Sequence, residues 1–332
     1  MIHPSPSQQE HAVGGSVCIH IGLPKTATTM LQKHLFQRHA QIAHGAIAMK
    51  FGTFDPDGAT TQLITDVCRA VDWHPDLHAQ AADDARGALQ AEGKALVLSE
   101  ESISFNGLID HGLEAENLVD RLDRPARLKS VFPDARIIFV IRRPEDWLRA
   151  IYLQRMKGYG RKHQTYLNLS DWVQQHWEAR EQTASVVSNL RYGALAHAYA
   201  EVFGHDNVFV LPFERLVEDS AEFIRELAEI IGIDADEAVR IAAGQRENET
   251  LTRRQLVVGH VRAHSRIGRV LIDTPALQGV RKALARIVPG REPARPELRS
   301  QLADRISAYC ADDIAALAAG WDLPLARYGY PV

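Results

Sequence analysis

The segment Gly22-Leu23-Pro24-Lys25-Thr26-Ala27-Thr28-Thr29 constrains this chain more than any other. It follows Ser16-Val17-Cys18-Ile19-His20-Ile21, an apolar run that predicts a buried strand. It precedes Met30-Leu31-Gln32-Lys33-His34-Leu35-Phe36, where Ala27, Leu31 and Leu35 recur at helical spacing. The unit is strand, tight turn, helix. A helix entrance presents unpaired N–H donors and the positive end of a dipole, so this one suits a phosphate or sulfate group. Lys25 adds a cation, and Thr26, Thr28 and Thr29 add hydroxyl donors. The spacing is not that of a Walker A loop, G-x-x-x-x-G-K-[ST], in which the lysine follows the second glycine. Here Lys25 comes first, and Ala27 stands where that glycine would be.

Three more apolar runs predict strands of the same sheet. Residues 135–141 form a near-continuous run ending in Arg142-Arg143-Pro144-Glu145-Asp146. Pro144 suits the first turn of a helix, and Glu145 and Asp146 suit its positive end. Lys94-Ala95-Leu96-Val97-Leu98-Ser99 runs into Glu100-Glu101-Ser102. Asn207-Val208-Phe209-Val210-Leu211-Pro212 runs into Phe213-Glu214. In doubly wound sheets ligands gather at the carboxyl ends of strands, so Glu100 and Glu101 are expected near the anion turn.

The turn resembles the 5′-phosphosulfate loop of sulfotransferases, P-K-[ST]-G-T-[TW], at Pro24 to Thr29. Those enzymes take the sulfuryl group from 3′-phosphoadenosine 5′-phosphosulfate (PAPS). By this resemblance Lys25, Thr26, Ala27, Thr28 and Thr29 bind the donor, and Lys25 also serves catalysis. Ala27 replaces the family's glycine, and a helical backbone at that residue would favour alanine. The stretch from Arg142 to Tyr152 resembles the family's 3′-phosphate segment, R-x-P-x-D-x-x-x-[S]-x-Y, which assigns Arg142 to that phosphate. The family's serine falls on Ala150, leaving Arg143 or Arg149 to compensate. Heparan-type members carry a strand followed by E-x-S and an aromatic residue. That likeness makes Glu100 the general base, with Glu101 the alternative and His44 a further candidate. Residues 208–216 resemble the family's V-x-V-L-x-[YF]-E-x-L, with Glu214 as a buttress. Tyr192 is a candidate for the adenine, or else a core aromatic. Asn248-Glu249-Thr250 resembles a turn that bacterial-type members carry before an arginine-rich helix.

The resemblance implies an α/β, P-loop-like sandwich with a mostly parallel central sheet and helices on both faces. It implies a PAPS-dependent sulfotransferase that releases adenosine 3′,5′-bisphosphate, needs no metal, and sulfates an acceptor hydroxyl or amine, with carbohydrate favoured. Two alternatives stand beside it, a P-loop kinase or NTPase and a non-catalytic nucleotide-binding relative.

The chain has 332 residues, 45% hydrophobic and 24% charged, as expected of a globular protein with an ample core. Residues 1–15 are polar with Pro4, Pro6, Gly14 and Gly15 and read as a flexible tail, with 16–332 as a single domain. No signal core or membrane span is apparent, and three scattered cysteines suit neither a disulfide framework nor a zinc site. A cytoplasmic setting is expected. The net charge of −4 does not suggest nucleic acid. His74 and His78 stand four apart around Pro75 without further ligands in view. Arg240 to Arg299 is richer in basic than acidic residues, a solvated face or a positive wall for an anionic ligand. Lys157-Gly158-Tyr159-Gly160-Arg161-Lys162-His163 is a candidate acceptor loop or a plain linker. Leu302, Ile306, Ile314, Leu317 and Leu323 give the tail a helical apolar stripe, with Trp321, Tyr328 and Tyr330 able to dock on the body.

Overall fold

The computed structural model describes residues 16–45, 59–69, 72–106, 118–157, 168–182, 185–245, 251–257, 265 and 290–332. Its strands are β1 (Val17–His20), β2 (Ile42–Gly45), β3 (Ala95–Ser99), β4 (Arg136–Ile141) and β5 (Val208–Pro212). They form one five-stranded sheet in the order β2-β3-β1-β4-β5, and every neighbouring pair is parallel. A parallel sheet is covered on both faces, which is why β1, β3, β4 and β5 read as apolar runs. Successive side chains alternate between two cores. Val17, Ile19, Leu96, Leu98, Ile137 and Phe139 enter one; Cys18, Val97, Ile138 and Val140 enter the other.

The first core is closed by α2 (Ala59–Cys68), α3 (Asp76–Ala91), α4 (Arg124–Val131), α5 (Pro144–Lys157), α6 (Leu169–Glu178), α7 (Tyr192–Phe203) and α11 (Ser300–Gly320). The second is closed by α1 (Thr28–Leu31) with the helical turns after it, and by α8 (Phe213–Glu218), α9 (Ser220–Ile231) and α10 (Ala235–Ala242). The expected sandwich is therefore present, and the four expected strands lie within a residue of their expected bounds.

Two features depart from the sequence pattern. β2 is an edge strand of four residues, Ile42-Ala43-His44-Gly45, too short and too polar to stand out from a loop. The helix after the turn keeps α geometry only to Leu31, then widens to a π-helix over Gln32–Phe36, with Gln37 N donating to Gln32 O at 3.0 Å.

At the far end α11 buries Leu302, Ile306, Ile314 and Leu317, and Leu323 packs against that core half-buried. Trp321 docks by donating Nε1–H to Val208 O at 2.7 Å. His74 precedes α3 while His78 lies within it, stacked on Trp73 and 3.1 Å from Asp66. Among the described residues no group of metal-ligating side chains occurs, and no helix is long and apolar enough to cross a membrane. Residues 1–15, 158–163, 248–250 and most of the basic stretch, including Arg246, Arg262, Arg266, Arg269, Arg281 and Lys282, lie outside the described residues.

Candidate anion-binding site at the carboxyl edge of the sheet

β1 and β4 are neighbours, yet the chain leaves β1 toward β2 on one side and leaves β4 toward β5 on the other. Such a reversal opens a crevice at the strands' carboxyl ends. The turn after β1 and Arg142 after β4 flank it.

The turn is held by its carbonyls. Ser104 Oγ donates to Gly22 O at 3.4 Å, Thr26 Oγ1 to Leu23 O at 2.6 Å, Trp147 Nε1 to Pro24 O at 2.8 Å and Arg142 Nη1 to Lys25 O at 3.0 Å. In a trans peptide the N–H opposes the C=O. The bonds to Pro24 O and Lys25 O therefore turn the N–H groups of Lys25 and Thr26 the opposite way, as a small anion-binding concavity requires, whereas Leu23 N donates to Val140 O at 3.3 Å and Pro24 has no N–H. Lys25 and Ala27 adopt left-handed backbone, at φ 71° and 68°, on either side of Thr26. This corrects the expectation for Ala27. Its backbone is not helical but lies where glycine is unstrained and a Cβ is not. Gly22 is needed for a different reason: a Cβ there would lie 2.7 Å from His20 Nε2.

Two buried polar atoms at the crevice, Thr28 Oγ1 and Arg142 Nε, have no hydrogen-bond partner among the described residues. Arg142 lies with its guanidinium 4.6 Å from the Phe213 ring centre, a cation–π contact that fixes its plane. Burial lowers its pKa, opposed by Asp146 and Glu214. Arg143 N donates to Glu214 Oε1 at 3.0 Å, and Tyr330 OH donates to Glu214 Oε2 at 2.7 Å. Glu214 thus joins the C-terminal segment to the turn carrying Arg142. Ala150 lies on α5, half-buried. Arg143 pairs with Asp146, and Arg149 with Glu145, Asp146 and the Pro296 carbonyl, so both guanidinium groups named as substitutes for the serine are engaged.

The acidic turn follows β3. Glu100 caps the short helix Glu101–Ile103, its Oε1 accepting from Ser102 N at 3.2 Å and from Ser102 Oγ at 3.1 Å. Glu101 faces the anion turn. Its own burial and then the Glu100 charge raise its pKa to about 7, while Thr28 and Lys25 oppose the rise. Thr28 does this without a hydrogen bond of ordinary length. The turn is braced from below by two buried arginines. Arg124 donates to the carbonyls of Ser102, Ile103, Phe105 and Val119 and to Asn106 Oδ1. Arg121 donates to the carbonyls of Ser104, Ser188, Asn189 and Arg191.

The structure thus brings Lys25, Thr26, Ala27, Thr28, Thr29, Glu100, Glu101 and Arg142 to one edge. Tyr192 lies beneath it, wholly buried and edge-on to Phe139 at 6.3 Å between ring centres. Its hydroxyl has no hydrogen-bond partner among the described residues, and burial raises its pKa well above the usual tyrosine value. That is the environment of a core aromatic. His44 is wholly buried on β2 and packs against Phe36. Sequence reasoning missed Arg121 and Arg124, because Asp120-Arg121-Leu122-Asp123-Arg124 has the look of a solvated charged face. It also missed a buried cluster of His20, Gln32 and Ser99, whose one outward sign is a histidine within an apolar strand.

A family model described as the sulfotransferase family matches residues 19–237. No curated protein matches the chain in sequence. A crystal structure of a sulfotransferase from Alicyclobacillus acidocaldarius shares 15% identity over 95% of this chain and 98% of that one, with a TM-score of 0.53. The sulfotransferase domain of the Synechococcus PCC 7002 olefin synthase aligns at 12% identity over 92% of this chain and 98% of that one, at a TM-score of 0.38. Mouse sulfotransferase SULT7A1 complexed with PAP aligns at 10% identity over 78% of this chain and 89% of that one, at a TM-score of 0.39.

Proposed function

The chain belongs to the sulfotransferase family, whose donor is PAPS, and from that premise we propose that it moves the sulfuryl group to the hydroxyl or amine of a saccharide-like acceptor. The observation that carries this reading is the set of four side-chain hydrogen bonds that occupy the carbonyls of Gly22 to Lys25. A phosphosulfate is a dense array of acceptor oxygens, and a turn with its own acceptors removed suits it. The two unpartnered buried atoms fit the same ligand, Thr28 Oγ1 toward the phosphosulfate and Arg142 Nε toward the 3′-phosphate. Saccharide is favoured by the Glu100-Glu101-Ser102 resemblance.

In the proposed reaction the acceptor oxygen or nitrogen attacks sulfur in line with the bridging oxygen. A bond to sulfur forms, and the bond from sulfur to the bridging oxygen breaks. The leaving oxygen stays on the 5′-phosphate of adenosine 3′,5′-bisphosphate, where Lys25 meets its growing charge. The acceptor proton passes to a carboxylate of the acidic turn. Glu101 suits this better than Glu100, because the Glu100 carboxylate is already engaged in capping Ser102 while Glu101 faces Lys25 and Thr28. No covalent intermediate is needed. Positioning and electrostatics carry the rate, as they do in phosphoryl transfer.

The test pairs calorimetric binding of adenosine 3′,5′-bisphosphate and of ATP with transfer of labelled sulfate from PAPS into saccharide pools. Tight binding of the bisphosphate over ATP, with labelled product, is expected. Preference for ATP would favour a kinase-like chemistry. Bisphosphate binding without transfer from PAPS to any acceptor pool would favour a non-catalytic relative.

A further inference from the structure

His20 and Ser99 face each other in register at the carboxyl ends of β1 and β3. From His20 the chain enters the donor turn; from Ser99 it enters the acidic turn. The two residues are also joined by their side chains, with His20 Nδ1 2.8 Å from Ser99 Oγ. A third segment closes the link. Gln32 begins the π-helical stretch after the donor turn, and its Nε2 donates to Ser99 O at 2.8 Å and to Ser99 Oγ at 3.1 Å. Glu100 N donates to His20 O at 3.1 Å. His20 and Ser99 are wholly buried, and Gln32 nearly so.

Ser99 Oγ accepts from Gln32 Nε2 and keeps a second lone pair and its own hydrogen, so its contact with His20 Nδ1 is a hydrogen bond in either imidazole tautomer. His20 Nε2 lies over Gly22, where it leaves no room for a Cβ. Phe36 packs edge-on against the ring, at 5.7 Å between centres.

We infer that His20, Ser99 and Gln32 form one positioning device, a buried polar tie that holds the acidic turn against the donor turn and so sets where Glu101 stands. The inference rests on the reading of Glu101 as proton acceptor. None of the three residues is placed to touch a substrate. What they share is that each belongs to a different segment of the site, and that every bond among them converges on the residue before Glu100.

His20 itself does not titrate in the working range. Burial first, and then the nearby His44, lower its pKa to about 3, so the imidazole is neutral. The titrating group is Glu101, which faces Glu100, Lys25 and Thr28. Its high value comes from burial against the donor turn. A slackened tie would admit water and let that value fall.

The experiment is a carbon-13 NMR titration of the full chain labelled at glutamate side chains, with the Glu101 resonance identified by its loss in Glu101→Gln. Ser99→Ala and His20→Leu should each lower the Glu101 midpoint by about one pH unit or more, toward the ordinary carboxylate value. His20→Asn should keep the wild-type midpoint, because its side-chain amide can meet Ser99 Oγ as donor or acceptor in place of Nδ1. Thermal melts report whether each variant folds, and Ser99→Ala alone decides the matter if His20→Leu does not. An unchanged midpoint in Ser99→Ala would overturn the inference. A drop in His20→Asn equal to that in His20→Leu would also overturn it, because ring shape and not the polar atom facing Ser99 would then be responsible. Wild-type calorimetry with adenosine 3′,5′-bisphosphate runs alongside. Failure to bind there removes the sulfotransfer reading and leaves the titration result to stand on its own.

Discussion

Arg142 donates from Nη1 to the carbonyl oxygen of Lys25 across 3.0 Å, so the cation after β4 and the anion turn after β1 are in direct contact. In the proposed site Arg142 would therefore have two tasks, meeting the 3′-phosphate and holding the left-handed Lys25. Arg142→Ala should weaken adenosine 3′,5′-bisphosphate by about 2–5 kcal/mol, the range for truncating a buried charge pair. AMP, which lacks the 3′-phosphate, should lose only the tether's share, about 0.5–1.5 kcal/mol. Calorimetry with both ligands separates the two. Equal losses would remove the 3′-phosphate assignment.

Ala27 is strained where the family's glycine would not be. A left-handed residue with a Cβ costs about 1–2 kcal/mol, and the larger unfolded-state entropy of glycine takes back about 0.5–1 kcal/mol of any relief. Ala27→Gly should therefore stabilise the fold by roughly 0.5–1 kcal/mol in chemical denaturation. A measurable loss of stability would mean that the alanine methyl packs against something worth more than the strain.

The strain at Ala27 shows where the sequence ceases to be informative. The strands were legible because both faces of a parallel sheet demand apolar side chains, and in β1, β3 and β4 the polar residues, His20, Ser99 and Arg136, stand only at strand ends while β5 has none. β2 was not legible, because Ile42-Ala43-His44-Gly45 is a short edge strand with a polar residue inside it. The anion turn was legible as residue types, but its backbone was not. Lys25 and Ala27 are left-handed in a turn whose carbonyls are held by Arg142, Trp147 and Thr26, and two of those three lie more than a hundred residues away. Arg121 and Arg124 look like surface charges for the same reason. Their partners are carbonyls, which carry no signature in a sequence.

In the proposed 3′-phosphate site Ala150 offers no hydroxyl where the family has serine, and the neighbouring arginines are engaged elsewhere. Arg143 is held by Asp146, and Arg149 by Glu145, Asp146 and the Pro296 carbonyl. Ala150→Ser should therefore tighten adenosine 3′,5′-bisphosphate, by about 1.5–3 kcal/mol at best, the value of a hydrogen bond to a charged group. The helix position tolerates serine at a cost of a few tenths of a kcal/mol, roughly. An unchanged affinity in calorimetry would place the 3′-phosphate away from this face of α5.

The Tyr330 hydroxyl reaches the site indirectly. It donates to Glu214, which in turn accepts from the backbone N–H of Arg143. Tyr330→Phe should cost about 1.5–3 kcal/mol of stability, because the acceptor is a carboxylate. Bisphosphate affinity should fall with it if Glu214 holds the Arg142 turn in place. Lost stability with wild-type affinity would confine Tyr330 to anchoring the chain's end.

Glu101 links the chemistry to pH. Its folded-state pKa is raised to about 7, by burial first and by Glu100 second, so the fold prefers the protonated carboxyl. The stability it contributes is whole below the unfolded carboxylate value and is lost as pH rises through about 7. Glu101→Gln cannot ionise, so it should match wild type near pH ~4 and exceed it near pH ~8, as read by denaturation at the two pH values. Turnover should run the other way. A proton acceptor must be ionised, so transfer of labelled sulfate from PAPS should rise with pH through an acid limb near 7. Glu101→Gln should remove that limb and cost about 10²–10⁴-fold in single-turnover transfer, while leaving bisphosphate affinity nearly intact. Glu100→Gln can still accept from Ser102 through its amide oxygen, so it should retain the limb and lose less. If Glu100→Gln abolishes turnover and Glu101→Gln keeps both turnover and limb, the proton goes to Glu100, and the high Glu101 value is a consequence of burial alone.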